Sequence, residues 1–379
     1  MSGQRFIPAV FMRGGSSKGV FFHAGDVPAE RAALDPILLA VLGSPDPYGR
    51  QLDGMGGGIS SLSKGVVIGP PTREGADVDY TFAQVAVDRP VVDWKGNCGN
   101  LSSAVGPFAV DEGLVRAADG EALVRIHQVN TRKLIHARFP VQDGKAAVAG
   151  DFAIAGVAGT GARIRLDFLE PGGSQTPHLL PTGNPTDMLD IPGFGPLRAS
   201  LVDAANPAVF VDAADLGVTG AELPEAIEAR PDLMALLDRI RREAGVAMGL
   251  GATPDAVGLA SPRVALVAPP LAARTLDGRV LDPAQHDITV RMLSMERPHR
   301  AVPMTGAMGL AVACRIAGSV PNALMLRGPR AEEIRVGHAS GIVAVGAEVR
   351  QTIAGWHAES AVVFRTARRL MQGQVAIPA

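Results

Sequence analysis

The chain has 379 residues, 47% of them hydrophobic, which is long for a single core and predicts two domains of about 150 to 200 residues. Lys and Arg total 36 against 38 Asp and Glu, a formal charge of -2, so no basic field draws in a polyphosphate and nucleic acid is excluded as an expected partner. Two distant cysteines, Cys98 and Cys314, make no disulfide framework, and no CxxC or HExxH supplies metal-ligand spacing. A reducing cytoplasm is the expected compartment. The opening apolar run FIPAVFM is shorter than most signal-peptide cores and leads into RGG, and nothing reaches the roughly 18 apolar residues of a membrane span.

Gly numbers 45 and Pro 29, while aromatic residues are 4%, a composition of many turns and short connections. In chain order, strands are predicted over 6–12 (FIPAVFM), 19–22 (GVFF), 78–87 (VDYTFAQVAV), 122–130 (ALVRIHQVN), 134–140 (LIHARFP), 163–169 (RIRLDFL), 263–269 (RVALVAP) and 287–295 (DITVRMLSM). Several alternate apolar with polar residues, as half-buried strands do. Helices are fewer, over 29–42, 100–112, 231–249 and 306–315. The Pro/Gly-rich stretch 169–196 has little periodicity and falls at the midpoint, which makes it the expected crossing between domains.

A midpoint crossing raises the question of an internal repeat. NCGNLSSAVGPFAV (97–110) aligns with MTGAMGLAVACRIA (304–317), Cys98 facing Thr305 and Ala104-Val105 facing Ala311-Val312. In both, a small-residue turn opens an apolar helix with little charge on any face, which predicts burial inside its own domain. Unpaired N–H groups and the positive end of the dipole at such a helix start favour a thiolate, a carboxylate or both. Cys98 therefore reads either as a proton carrier or as a small buried core residue. Cys314, in mid-helix among Ala and Val, is expected in the core.

The stretch QLDGMGGGISSLSKGVVIGP (51–70) is rich in Gly and Ser ahead of Lys64. Gly65 follows where a phosphate loop needs Ser or Thr, and VVI reads as a strand, so this is not a Walker A loop. SLSK (61–64) matches the SxxK of serine acyl-enzymes but lacks the helix that motif opens. What is left is a flexible loop delivering Lys64 into a cleft, or a solvated lysine. FMRGGSSKGVFF (11–22) contains GSSKG, the pattern of a nucleophile elbow around Ser17, with a strand where the elbow needs a helix. It is expected to form a hairpin tip whose Arg13, Ser16, Ser17 and Lys18 offer donors to a carboxylate or merely decorate the turn.

Four stretches, MRGGSSKG, DGMGGGISSLSK, GNCGNLSSAVGPFAV and RPHRAVPMTGAMGLAVA, resemble in order and spacing the PrpF-like isomerases related to diaminopimelate epimerase, across nearly the whole chain. The resemblance implies an α+β, diaminopimelate epimerase-like fold of two pseudo-symmetric domains, each a β-barrel-like sheet around a central helix, with the site in the cleft between them. The domains are expected at 1–185, joined by a C-terminal strand over about 361–379, and at 186–360. Members isomerise small di- and tricarboxylates such as 2-methylaconitate, methylitaconate and 4-oxalomesaconate without metal or organic cofactor. No cofactor is therefore expected, the expected partner is a small-molecule tricarboxylate rather than nucleic acid or membrane, and a homodimer is left open.

In the related epimerases two cysteines, one at each central-helix start, face one carbon. Cys98 matches the first, but Thr305 stands at the second, and its hydroxyl is too weakly acidic to replace a thiol. The resemblance points to Lys64 as the other proton carrier. An acid and a base placed along a substrate suit an allylic shift, in which a proton leaves a carbon beside a conjugated C=C and another is returned two carbons away. Substrate contacts are expected at Asn97, Gly99, Asn100, Leu101 and Ser102, at Met304, Thr305, Gly306, Ala307 and Met308, and at Arg13, Ser16, Ser17, Arg291 and His299. The sequence does not say which of Lys64 and Cys98 takes the first proton. GSPDPYGRQLDGMGGG and HRAVPMTGAMGLAVA resemble most the branch acting on 4-oxalomesaconate, an intermediate of microbial protocatechuate and gallate degradation. The expected reaction is its Δ-isomerisation, with 2-methylaconitate cis-trans isomerisation and non-catalytic tricarboxylate binding as alternatives.

Overall fold

The structure, a computed structural model, describes residues 3–294, 297–326 and 332–378; Met295 of the expected strand 287–295 lies outside them. The backbone divides into two units, Met1–Phe168 with Phe364–Ala379, and Leu169–Val363.

The first unit opens with a hairpin of β1 (Gln4–Gly14) and β2 (Ser17–His23), in which Gly14 faces Ser17 and Gly15 turns the chain at φ 53°. Then come α1 (Arg31–Leu42), β3 (Lys64–Gly69), β4 (Val78–Val85), α2 (Gly99–Asp111), β5 (Gly120–Gln128), β6 (Lys133–Gln142) and β7 (Ile164–Leu169). The final strand, Ala367–Pro378, runs antiparallel to β1. From there the order is β1–β2 antiparallel, β2–β3 parallel, β3–β4 antiparallel, β4–β5 parallel, then β5–β6 and β6–β7 antiparallel.

Strand periodicity sends successive side chains to opposite faces. Phe22 joins Leu34, Leu38 and Leu42 of α1 in one core cluster, while Phe21 turns the other way and meets Phe108 of α2 with ring centroids 5.5 Å apart. Every residue from Leu101 to Val110 of α2 is buried, as an uncharged helix of small residues requires. Gly106 permits this fit, since a Cβ there would stand 2.6 Å from the Phe139 ring on β6.

The second unit contains β8 (Asp187–Ile191), β9 (Gly195–Ala204), β10 (Asn206–Asp212), α3 (Pro231–Ala247), β11 (Arg263–Ala268), β12 (Ile288–Ser294), α4 (Met304–Arg315), β13 (Ile334–His338), β14 (Gly341–Thr352) and β15 (Gly355–Arg365). Pairing runs β8–β9 and β9–β10 antiparallel, β10–β11 parallel, β11–β12 antiparallel, β12–β13 parallel, then β13–β14 and β14–β15 antiparallel. This is the succession of the first unit, with a helix inserted at the same two points. The internal repeat is thus plain in topology where it is faint in sequence. The stretch 169–196, read from the sequence as the domain crossing, belongs to the second unit. Asp203 of β9 holds it by accepting from the backbone N–H groups of Gln175 and Thr176 (2.8 and 2.7 Å) and from the Thr176 hydroxyl. Among the described residues no helix is long and apolar enough to cross a membrane.

Candidate active site

Cys98 is the N-cap of α2, 8% exposed, and its Sγ accepts from the Leu101 N–H at 3.5 Å. The Ser102 N–H donates to the Cys98 carbonyl at 2.9 Å, which leaves the N–H groups of Gly99 and Asn100 ahead of the first helical bonds. Ser102 Oγ lies 3.0 Å from the Cys98 carbonyl and 3.4 Å from Asn97 Oδ1. The Tyr80 hydroxyl also donates to the Cys98 carbonyl, at 3.4 Å. Burial, with Cys98 beside it, raises the Tyr80 phenol well above its usual range, so that hydroxyl keeps its proton.

Lys64 begins β3 and is 7% exposed. Its Nζ donates to Gln84 Oε1 at 2.5 Å and stands 5.0 Å from the centre of the Phe82 ring. Lys64 and Gln84 are register partners on β3 and β4. Tyr80, Phe82 and Gln84 alternate along β4, so they share one face at steps of about 6.5 to 7 Å. That face carries the cysteine's carbonyl at one end and the lysine's amine at the other. Gly19 on β2 makes room for both Leu101 of α2 and the start of β3, because a Cβ there would stand 2.9 Å from Leu101 Cδ1 and 3.4 Å from Lys64 Cβ.

The hairpin tip packs on the same helix start. A Cβ at Gly14 would lie 2.7 Å from the Asn100 carbonyl, and one at Gly15 would collide with the Asn100 side chain. Asn100 Nδ2 donates to Ser16 Oγ at 3.2 Å, and its Oδ1 accepts from Arg365 Nε at 3.2 Å. Ser17 is buried at the hairpin. Arg13 turns back on its own strand's neighbours, donating from Nη1 to the carbonyls of Gly15 and Thr366. Arg365 is the cation the sequence reading missed. Its Nη1 donates to the Phe364 carbonyl, it forms no ion pair among the described residues, and burial lowers its pKa to about 10.

In the second unit Arg263 heads β11, the strand equivalent to β3, so it occupies the place of Lys64 in the repeat. Its Nη1 donates to Thr305 Oγ1 at 2.6 Å, its Nε is buried without a partner, and burial lowers its pKa. Met304 and Thr305 open α4, Gly306, Ala307 and Met308 are buried, and the Ala307 N–H donates to the Pro303 carbonyl at 2.8 Å. His299 Nδ1 accepts from the Ala301 N–H at 3.0 Å, which puts the proton of the neutral ring on Nε2. Burial lowers its pKa, and the charge of Arg263 acts in the same direction. Arg291 is buried with each nitrogen committed to a backbone carbonyl, of Glu222, Val290 and Ala221, and burial lowers its pKa to about 10. Cys314 is wholly buried and its thiol is pushed up to about 12.

The structure therefore joins Cys98, Ser16, Asn97, Asn100 and Ser102 around one helix start, sets Lys64 farther along the β4 face that meets the Cys98 carbonyl, and separately groups His299 and Thr305 around Arg263. Sequence reading missed Gln84, Tyr80, Arg263 and Arg365. The available signal was a polar residue in phase with the apolar side of a strand, Gln84 after Tyr80 and Phe82, or an arginine at either end of an apolar run, as in RVALVA and AVVFR.

A repeated unit of this kind defines the diaminopimelate epimerase-like fold, and a crystal structure of hydroxyproline epimerase from Agrobacterium vitis shares it with a TM-score of 0.52 at 14% identity, covering 99% of this chain and 94% of that one. Much nearer is the crystal structure of a methylitaconate-delta-isomerase, with a TM-score of 0.94 and 40% identity over 100% of this chain and 97% of that one. The 2-methyl-aconitate isomerase of Shewanella oneidensis is 40% identical over 98% of this chain and 97% of its own length. The (4E)-oxalomesaconate Delta-isomerase of a Novosphingobium species is also 40% identical, over 97% and 96%. The profile described as PrpF protein matches residues 4–378: the chain belongs to the PrpF family, and it is an isomerase.

Proposed function

We propose that the chain is a 1,3-allylic isomerase of a small unsaturated tricarboxylate, with Lys64 and Cys98 as its two proton carriers and no metal or organic cofactor. The observation that supports this best is the shared face of β4, on which Gln84 meets the buried Lys64 amine and Tyr80 meets the carbonyl of Cys98, the residue that caps α2, where Asn100 accepts from a guanidinium without a carboxylate partner among the described residues. One carrier removes a proton from a carbon next to the C=C. The electron pair delocalises into the conjugated system as a dienolate, and the other carrier protonates the carbon two positions on. The double bond moves and no electrons are gained or lost. Arg365, Ser16 and the N–H groups of Gly99 and Asn100 hold a carboxylate and stabilise the charge as it develops. Thr305, whose oxygen accepts from Arg263, is too weakly acidic to be a second thiol, which favours a shift along the substrate over inversion at one carbon.

The acid we propose is 4-oxalomesaconate, in microbial aromatic degradation, on the strength of the Novosphingobium relative and of GSPDPYGRQLDGMGGG and HRAVPMTGAMGLAVA. The Shewanella relative, at the same identity, supports 2-methylaconitate cis-trans isomerisation as a second reading, in which the intermediate rotates before the proton returns. Each acid is incubated with the pure protein and followed by ultraviolet absorbance and proton NMR. A shifted C=C in 4-oxalomesaconate is the expected product. Turnover of 2-methylaconitate alone would reject the assignment.

A further inference from the structure

We infer that Gln84 is the residue that aims the Lys64 amine and, by meeting it with a neutral oxygen, leaves it able to exchange its proton. The inference rests on the proposed role of Lys64. Gln84 Nε2 donates to two carbonyls, of Ser60 at 3.0 Å and Ser63 at 2.9 Å, which uses both of its hydrogens. A flipped amide would set its oxygen against those carbonyls and its NH₂ against the lysine, so the orientation is fixed and Oε1 must face Nζ. The carbonyls belong to the loop that delivers Lys64. A second glutamine steadies that loop: Gln51, 1% exposed, donates to Ser63 Oγ and Ser44 Oγ at 2.8 Å each and accepts from the Gly58 N–H at 3.0 Å. Ser63, the residue before Lys64, is thus held by one glutamine through its carbonyl and by another through its hydroxyl. The Gly-rich loop is built to place one amine.

The surroundings supply no counter-charge. Titratable groups on the elements around Lys64 are Lys18 and His23 on β2, Asp79 and Tyr80 on β4, Asp93 on the short strand beside β4, Arg31 and Asp35 on α1, and Cys98 and Asp111 at the two ends of α2. His23 bonds Glu112, Arg31 lies over the Trp94 ring and Asp111 accepts from the Ala146 N–H. Lys18 lies over the Phe11 ring, Asp79 bonds His127 and Thr72, and Tyr80 bonds the Cys98 carbonyl. Asp93 accepts from the Lys95 N–H and Asp35 from the Trp94 indole. No carboxylate forms an ion pair with Lys64 among the described residues. A carboxylate in place of the Gln84 amide would hold the lysine charged.

The test compares pH–rate profiles and thermal midpoints of wild type, Gln84→Glu, Gln84→Met and Lys64→Met on the acid the wild type turns over. In Gln84→Glu the limb of the profile set by the lysine moves to higher pH by about one unit or more, the usual effect of an adjacent opposite charge. The direction is the same for either role: a base must lose its proton past the raised value, and an acid keeps it up to that value. Gln84→Met removes the fixed acceptor and lowers kcat by about 10-fold or more at unchanged KM, the sensitivity to aim expected of a positioned proton carrier. Lys64→Met loses turnover by about 10² to 10⁴. An unmoved limb in Gln84→Glu, or wild-type kcat in Gln84→Met, with Lys64→Met so impaired, overturns the inference alone. Turnover near the wild-type rate by Lys64→Met overturns the reading beneath it. Should Gln84→Glu lose its thermal transition, the kcat of Gln84→Met decides.

Discussion

Arg365→Met removes a cation while keeping most of its stem. The guanidinium makes two bonds to neutral oxygens, Nε to Asn100 Oδ1 and Nη1 to the Phe364 carbonyl, and burial without a counter-charge lowers its pKa to about 10. An arginine kept for the fold would be missed when removed. One kept for a ligand carries a desolvation penalty that methionine relieves, because a buried charge without a counter-charge opposes folding. The stem packs near Gly15, where a Cβ would stand 3.2 Å from Arg365 Cδ, and methionine fills that space. The unliganded thermal midpoint is therefore expected to hold or rise. A hydrogen bond between charged partners is worth about 1.5 to 3 kcal/mol, so KM should rise by about 10- to 150-fold. Steady-state kinetics supply KM and kcat. Thermal unfolding with and without the tricarboxylate supplies the second readout, since ligand stabilisation falls with affinity. An unchanged KM together with a midpoint lowered by several degrees would refute the reasoning and make Arg365 a structural residue.

Cys314→Ala is expected to keep wild-type turnover and lose about 1 kcal/mol of stability by denaturant titration, because the thiol is wholly buried and pushed up to about 12. Gly14→Ala should lose about 1 to 3 kcal/mol and most of its kcat. The new Cβ would meet the Asn100 carbonyl at 2.7 Å and Leu101 Cα at 2.9 Å, both backbone atoms that cannot move without shifting the start of α2. Dialysis against a chelator is expected to leave activity intact, and a loss restored by zinc or magnesium would contradict cofactor independence.

Part of the first unit was legible because a strand such as β6 faces a core on one side and alternates accordingly, burying Ile135, Ala137, Phe139 and Val141 between more exposed neighbours. The small-residue start of α2 announced itself too, since a polar cap before an uncharged helix has few other uses. In the second unit β9 and β10 escaped notice: the end of β9 and most of β10 are buried on both faces, and such strands lose their period. β14 is rich in small residues and largely half-buried or exposed, so it carries little pattern. At the site, a residue's use depends on partners brought from far along the chain. Arg291 and Arg13 look like free cations in sequence, yet the fold gives them backbone carbonyls. Arg365 looks like the edge of an apolar strand, yet it reaches Asn100 across 265 positions of sequence. Gln84 is one amide among several until β3 is laid beside β4.

The central claim is that Lys64 and Cys98 divide two proton transfers between two carbons. The most direct measurement is solvent deuterium wash-in to the substrate in D₂O, followed by proton NMR, for Lys64→Met and Cys98→Ala. Turnover should fall in both by about 10² to 10⁴. The variant that keeps the base still forms the dienolate and returns a solvent-derived deuteron to the carbon it left, so label enters the substrate without product, whereas the variant lacking the base shows neither exchange nor turnover. Wash-in at equal rates from the two variants, or retained turnover in either, would contradict the account.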